Sequence, residues 1–370
     1  MIKRILTAFI LISVALMSFS GCGDKSDNDL TSHDFIAMDT VFTISIGKIA
    51  VDSGTDDTDV FSECRKLTEE IDSVLSATDP DSDVFNLNSD INAFFDADPI
   101  LIDVLSTALD ISELTGGTYD PTVGQLTSLW NVKGGGPVPA DDKIAYAVSR
   151  TGHSLISIND SSVVKSVTDV KVDLGGIGKG YAAQKIAEYL YDAGVSYGII
   201  SAGRTVGVFG EKPDGSSFKI GIADPFNSDG IVGYLYTESG FISVAGDYEQ
   251  FFEENGKKYH HIIDPSTGYP SDSGLTSVAV ISQNGAAADA LSTALMVMGY
   301  DKGIAFYKDS SIPFEAIFIG IDGSVKTTDG LTEDRFEISP DYKVTTDNVS
   351  DTKTSESSVT APDTSATSEE

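Results

Sequence analysis

The chain is 370 residues long and 41% hydrophobic, enough for a large core in one domain or in two lobes. Its formal net charge of −33 speaks against nucleic acid as a partner, because a polyanion is repelled by so acidic a surface.

Lys3 and Arg4 precede an apolar run over 5–19, and Ser20-Gly21-Cys22 closes it. A basic start, a short apolar stretch and small residues before a cysteine read as the signal peptide of a bacterial lipoprotein, residues 1–21, with lipid on Cys22. The run is short for a membrane span, and plain secretion with cleavage near Gly21 is the alternative. The reading places the body on the extracytoplasmic face of the cell membrane, anchored through Cys22. Residues 22–34 are polar and read as a tether. Helical patterns cover 57–75, 100–115, 181–193 and 286–298. Cys64 falls on the apolar stripe Phe61, Cys64, Leu67, Ile71 and Leu75 of the first, which makes it a core residue with no disulfide partner once Cys22 is lipidated. Strand-like runs at 218–222, 231–237 and 241–244 follow one another without helices between them. That favours an α+β fold, with mixed, largely antiparallel sheets and packed helices, over a regular parallel α/β sheet. The expected body, a single two-lobed domain, runs over 35–340. Residues 341–370 are rich in Ser, Thr, Asp and Glu, cannot bury enough surface to order themselves, and read as a disordered acidic tail.

Three segments carry the chemistry. In VDLGGIGKGYAAQKIAEYL, residues 172–190, a β-like run over 170–174 enters a cluster of Gly175, Gly176, Gly178 and Gly180, and a helical pattern follows. Glycines allow close backbone approach to a ligand, the free N–H groups at a helix start favour an anion, and Lys179 adds a positive charge. An ordinary strand-to-helix turn is the bland alternative. Gly180 after Lys179 does not fit a P-loop, which needs Ser or Thr there, and the strand over 197–201 ends without the acid of a dinucleotide fingerprint.

In the second segment, 284–299, Asn284 opens a helix and Gly299 closes it. Asp289 and Thr293 share one face of it. Two hard oxygens in an otherwise apolar helix suit Mg²⁺, which completes its shell with water and substrate phosphate; a polar stripe on a surface helix is the alternative. In the third, YHHIIDPSTGYP over 259–270, Ile262 and Ile263 end a strand and Asp264 to Gly268 form a turn. His260 and His261 then point to opposite faces. One of them is a candidate acid–base group, or a hydrogen-bonded turn histidine; a closed zinc site is not expected.

Together these segments resemble the FAD:protein FMN transferases, a flavin-transferring lipoprotein family. Met38-Asp39-Thr40 with the strand over 41–46, DPDSDVFNLN over 79–88 and GGTYDPTVGQLTSLW over 116–130 are similar to its earlier motifs. The glycine loop, FKIGIADP, SVAGDYEQFF, HHIIDPSTGYP and ADALSTA follow in family order. The resemblance, over about 35–339, implies Mg²⁺-dependent splitting of FAD: FMN passes to a threonine or serine hydroxyl of an acceptor protein, through a phosphoester bond, and AMP leaves. It implies Asp289 and Thr293 as metal ligands, with the backbone carbonyl of Gly176. It places Met38, Thr118, Tyr119, Asp120, Asp173, Lys179 and Ile263 around the FAD, and His261 at the chemistry. The acceptors implied are extracytoplasmic electron-transfer proteins. An FAD pyrophosphatase or a non-catalytic flavin-binding lipoprotein are the alternatives. The chain departs from the family pattern at Ser201 to Thr205, where contact with a phosphate or a reshaped pocket are the two readings of the extra Arg204, and at Thr78, Gln184 and Ala245.

Overall fold

The computed structural model describes residues 30–49 and 56–343. Its strands are β1 Thr31–Ala37, β2 Thr40–Ile46, β3 Phe94–Asp96, β4 Ile156–Asn159, β5 Ser162–Lys165, β6 Tyr197–Ala202, β7 Thr205–Gly210, β8 Phe218–Ala223, β9 Ile231–Thr237, β10 Gly240–Gly246, β11 Phe251–Glu254, β12 Lys257–His260, β13 Leu275–Ser282, β14 Phe314–Gly320, β15 Val325–Thr327 and β16 Phe336–Ile338. Its helices are α1 Asp57–Leu75, α2 Asp83–Ser89, α3 Pro99–Leu114, α4 Gly124–Trp130, α5 Asp141–Val148, α6 Gly178–Asp192 and α7 Gly285–Asp309.

An eight-stranded sheet, ordered β1-β2-β6-β7-β10-β13-β14-β15, forms the centre, and every pairing in it is antiparallel. Alternation sorts its side chains. Ile44, Ile200, Phe241, Val278, Val280 and Phe318 join the core beneath α1, α3, α6 and α7. Ile242, Ala279, Ile281, Ile317 and Ile319 face the other way, onto Ile222, Val232, Leu235 and Phe336 of the small sheet β16-β9-β8. Strand β13 is therefore buried along its whole length. The fold is α+β, as the run of consecutive strands implies. A satellite core gathers Leu126, Trp130, Ile144 and Ile263 beside the β11–β12 hairpin. There the Trp130 indole donates to the Gly268 carbonyl at 2.7 Å and stacks on Tyr259 at 5.4 Å.

Three expectations are corrected. Strand β1 begins at Thr31, inside the expected tether, and Thr31 to Asp34 are exposed; an edge strand held by backbone pairing to β2 needs no apolar alternation. Residues 170–174 are extended but form only one bridge, Lys171 with Val123. The chain there turns toward the glycine loop before a ladder can form. Strand β12 ends at His260 rather than at Ile263, whose backbone bridges Pro270 across the Asp264–Gly268 turn. The signal segment, Cys22 and residues 344–370 lie outside the described residues; Tyr342, placed with the tail from sequence, packs against the small-sheet core.

Candidate functional site

The site is built where α6 and α7 cross. A Cβ on Gly180 would lie 2.1 Å from the Gly285 carbonyl oxygen, and one on Gly285 would lie 2.4 Å from the Gly180 oxygen. Only two glycines let the backbones meet so closely. Each helix then caps the other. Helix α6 has no side-chain cap of its own; instead the Gly180 N–H donates to Asp289 Oδ2 of α7 at 3.0 Å. In return the Gly285 N–H, at the start of α7, donates to Gln184 Oε1 at 2.8 Å, so Gln184 has a structural role in the position where the family often has Asp. The second Asp289 oxygen accepts from Ser243 Oγ at 2.8 Å. That hydroxyl lies 3.0 Å from Thr205 Oγ1. Strands β7 and β10 thus hold the buried Asp289 carboxylate from below.

Helix α7 opens with the Asn284 side chain accepting from Ala287 N–H, and its first segment breaks at Gly299, where φ is 76°. Both boundaries are the ones the sequence predicts; a second helical segment then continues to Asp309. Thr293, one turn beyond Asp289, faces the glycine loop. A Cβ at Gly176 would lie 3.3 Å from Thr293 Oγ1 and 3.3 Å from the Tyr119 ring. Gly176, Thr293 and Tyr119 are therefore neighbours. The Tyr119 side chain is buried, and its hydroxyl has no hydrogen-bond partner among the described residues. Burial, then the charges of Asp289, Asp173 and Asp120, push the phenol well above its ordinary pKa, so it stays a neutral donor.

The loop's other side chains are tied close by. Lys179 Nζ donates to the Gly175 carbonyl at 3.1 Å. Asp173 accepts from Gly175 N–H at 2.9 Å and from Thr127 Oγ1 at 2.7 Å. Met38 reaches Gly178, where a Cβ would meet its methyl at 3.1 Å. Met38 and Asp39 form the two-residue turn between β1 and β2 with φ of 50° and 59°, a conformation costly for non-glycine residues. The Met38 N–H is held by Asp72 Oδ2 at 2.8 Å.

Thr118 Oγ1 donates to the Thr115 carbonyl at 3.1 Å. Asp120 is occupied by its own turn and by a distant segment, accepting from Thr122 N–H and from His153 N–H, both at 2.8 Å. The Ile263 side chain lies in the satellite core, away from the glycine loop's cluster.

The histidines differ in burial, and since β12 ends at His260, strand alternation does not extend to His261. His260 is buried, and its Nε2 lies 2.8 Å from the Ser271 carbonyl. His261 is half-buried, with Nδ1 3.3 Å from the Gln250 carbonyl. Burial, with His260 and Lys179 adding to it, pushes the His261 pKa down to about 4, against the pull of Gln250 and Asp173. The ring is neutral at pH 7. With Nδ1–H directed at the carbonyl, Nε2 is left as a proton acceptor.

One pair was not foreseen. Arg204 Nε lies 2.6 Å from Glu249 Oε1. The same guanidinium donates to the Tyr248 hydroxyl at 2.7 Å and covers the Tyr248 ring at 4.5 Å. Burial raises the Glu249 pKa, Arg204 and Lys179 lower it, and Asp289 raises it, which places Glu249 within the field of the site. Glu249 and Ser243 both lie in the SVAGDYEQFF motif; the period of two that turns Phe241 and Ala245 toward the helices was the available signal for Ser243.

The chain matches the ApbE family over residues 38–318. It is 31% identical to the FAD:protein FMN transferase of Vibrio cholerae, over 74% of this chain and 81% of that protein. To its counterpart in Escherichia coli K12 it is 30% identical, over 80% and 88% of the two chains. The crystal structure of the ApbE protein from Thermotoga maritima superposes with a TM-score of 0.75 at 30% identity, covering 82% of this chain and 98% of that one. The apo flavinyl transferase ApbE of Pseudomonas stutzeri gives 0.74 at 25% identity, covering 86% and 100%. With the family pattern matched across most of its length, and the same fold beneath it, this chain belongs to the ApbE family.

Proposed function

We propose that the protein transfers the FMN half of FAD to a threonine or serine hydroxyl of an acceptor protein, in a Mg²⁺-dependent reaction that releases AMP. The observation that carries this reading is the Asp289 carboxylate, buried at the crossing of α6 and α7, where it caps the start of the helix that bears Lys179. The names of the relatives point the same way.

The donor set fits Mg²⁺. Each Asp289 oxygen accepts one hydrogen bond and keeps a lone pair. Thr293 Oγ1 and the Gly176 carbonyl are hard oxygens in the same cluster. Among the described residues no group of three or more His, Cys, Asp and Glu is placed to hold a metal. A single carboxylate suits an ion that keeps waters and substrate phosphate, not an all-protein cage. Bound there, Mg²⁺ supplies charge neutralisation for a diphosphate.

The chain's own residues do the rest. Lys179, at the positive end of the α6 dipole, binds the diphosphate. Tyr119 offers a neutral hydroxyl to a substrate oxygen. The acceptor oxygen forms a bond to the flavin-side phosphorus as that phosphorus parts from the bridging oxygen, which leaves with AMP. The hydroxyl proton passes to His261 Nε2, which is unprotonated at pH 7. The diphosphate beside it raises the basicity of the ring when substrate is present. The whole works on the extracytoplasmic face of a membrane, anchored by lipid on Cys22, on acceptors of extracytoplasmic electron transfer.

The test is incubation with FAD, Mg²⁺ and a candidate acceptor domain, followed by mass spectrometry. FMN mass on an acceptor Thr or Ser, with one AMP per label, is expected. AMP and free FMN without label would replace transfer by hydrolysis; FAD binding with neither product would leave a flavin-binding lipoprotein.

A further inference from the structure

We propose that Arg204 is a positioning residue for FAD: it neutralises Glu249 at the rim of the site and so leaves the charge of Lys179 available to the diphosphate. This rests on the flavin-transfer reading above. Glu249 is tied to the site by geometry and by charge: its neighbour Gln250 accepts from the His261 N–H at 3.0 Å, and Lys179 and Asp289 both act on its carboxylate. Arg204 follows the β6–β7 turn, and its neighbour Thr205 is hydrogen-bonded to Ser243, which in turn holds Asp289. The guanidinium is fixed on three sides at once, by the Glu249 carboxylate at 2.6 Å, the Tyr248 hydroxyl at 2.7 Å and the Tyr248 ring at 4.5 Å. Only 24% of either side chain of the Arg204–Glu249 pair is exposed. A guanidinium matched to a carboxylate in a half-dry setting is worth far more than a surface pair.

Without Arg204, Glu249 would be a poorly solvated anion whose only remaining cation, among the charges that act on it, is Lys179. It would draw the lysine from the phosphate and add negative potential where a diphosphate must bind.

The experiment is a double-variant cycle read by FAD affinity, through quenching of flavin fluorescence, with melting curves to confirm folding. Arg204→Ala is expected to weaken FAD binding about tenfold or more, as unpairing a charge in an interface does. Adding Glu249→Gln to it should restore most of the loss, because the carboxylate that caused it is gone. Arg204→Lys, which keeps the charge but loses the fork and the ring contact, covers any failure of the alanine variant to fold and should bind FAD more tightly than Arg204→Ala and more weakly than wild type. The inference is overturned if Arg204→Ala binds FAD like wild type. It is equally overturned if the double variant stays as weak as Arg204→Ala, since Arg204 would then touch the phosphate itself. A wild-type protein that binds no FAD overturns the flavin-transfer reading and this inference with it.

Discussion

Asp289 has two duties, and a substitution has to separate them. Asp289→Ala deletes both the proposed metal ligand and the acceptor that caps α6 at Gly180. Asp289→Asn keeps an acceptor for the Gly180 N–H while removing the anion. It should therefore melt close to wild type and lose Mg²⁺-dependent turnover by about a hundredfold or more, since a hard anionic ligand is gone. Thr293→Ala should be milder, as a neutral oxygen contributes less. Turnover assayed in limiting Mg²⁺ decides; wild-type rates from Asp289→Asn would remove the metal assignment. His261 and Lys179 separate differently. Losing a proton acceptor costs about 10²–10⁴-fold in rate and leaves FAD binding nearly unchanged. Lys179→Ala should weaken binding and turnover together, because its charge acts on the bound substrate as well as on the transition state. The pKa of about 4 at His261 also fixes a sign. In kcat/KM, which reports the free enzyme, activity should hold at neutral pH and fall as the medium is acidified through about 4. The same group links to stability. Unfolded, it titrates near its ordinary value of 6.5, so its contribution is complete above that pH and is lost as pH falls toward 4.

At the level of elements, the crossing of α6 and α7 is the most sensitive contact of the site. Gly180→Ala would push a methyl into the Gly285 carbonyl at 2.1 Å. The helices would have to part, and the Gly180–Asp289 bond would stretch with them. Overpacking of this kind costs about 1–3 kcal/mol, so both the melting temperature and Mg²⁺-dependent turnover should fall. Gly175→Ala makes the control: it is exposed, and its added Cβ meets only Asp173 Oδ1, at 3.1 Å. Thermal melting and turnover of the two variants check the contrast. The long amphipathic elements were legible in the sequence: α1 spans the residues its apolar stripe marks, and Asn284 and Gly299 bound the first segment of α7. Periodicity sufficed for α1 because one face is buried and the other is not; the first segment of α7 is buried nearly all round, and its capping Asn284 and its Gly299 marked it instead. Helices α2, α4 and α5, of 7, 7 and 8 residues, are too short for a period of 3.6 to register. Asp289 and Thr293 were legible as a pair because one helix carries both. The Arg204–Glu249 pair was not, since its partners lie beyond the ends of different strands and only the sheet brings them together. The family resemblance supplied the remaining site positions, and the extended segment at 170–174 shows why β-like composition alone misleads: it has strand residues but no neighbouring strand to pair with.

For the whole molecule, the proposed membrane attachment rests on Cys22 alone. No described helix is long and apolar enough to cross one, and a net charge of −33 gives the body no attraction to anionic lipid. Cys22→Ser should therefore release a correctly cleaved protein into the soluble fraction, and membrane fractionation reads the outcome; continued tight association would point to another anchor. The fold also implies a gradient of amide exchange. Strand β13 is covered on both faces, and the proposed metal ligands sit on α7, packed directly against it. At the far edge of the same sheet, β1 is mostly exposed and leads into the strained Met38–Asp39 turn. Deuterium should enter β1 and that turn early, and β13 and the first turns of α7 only near global unfolding. The proposed metal cradle would then belong to the last part of the protein to open, and one wall of the proposed flavin site to the first. Substrate entry and product release would need only the edge hairpin to yield, while the ion stays seated through many turnovers.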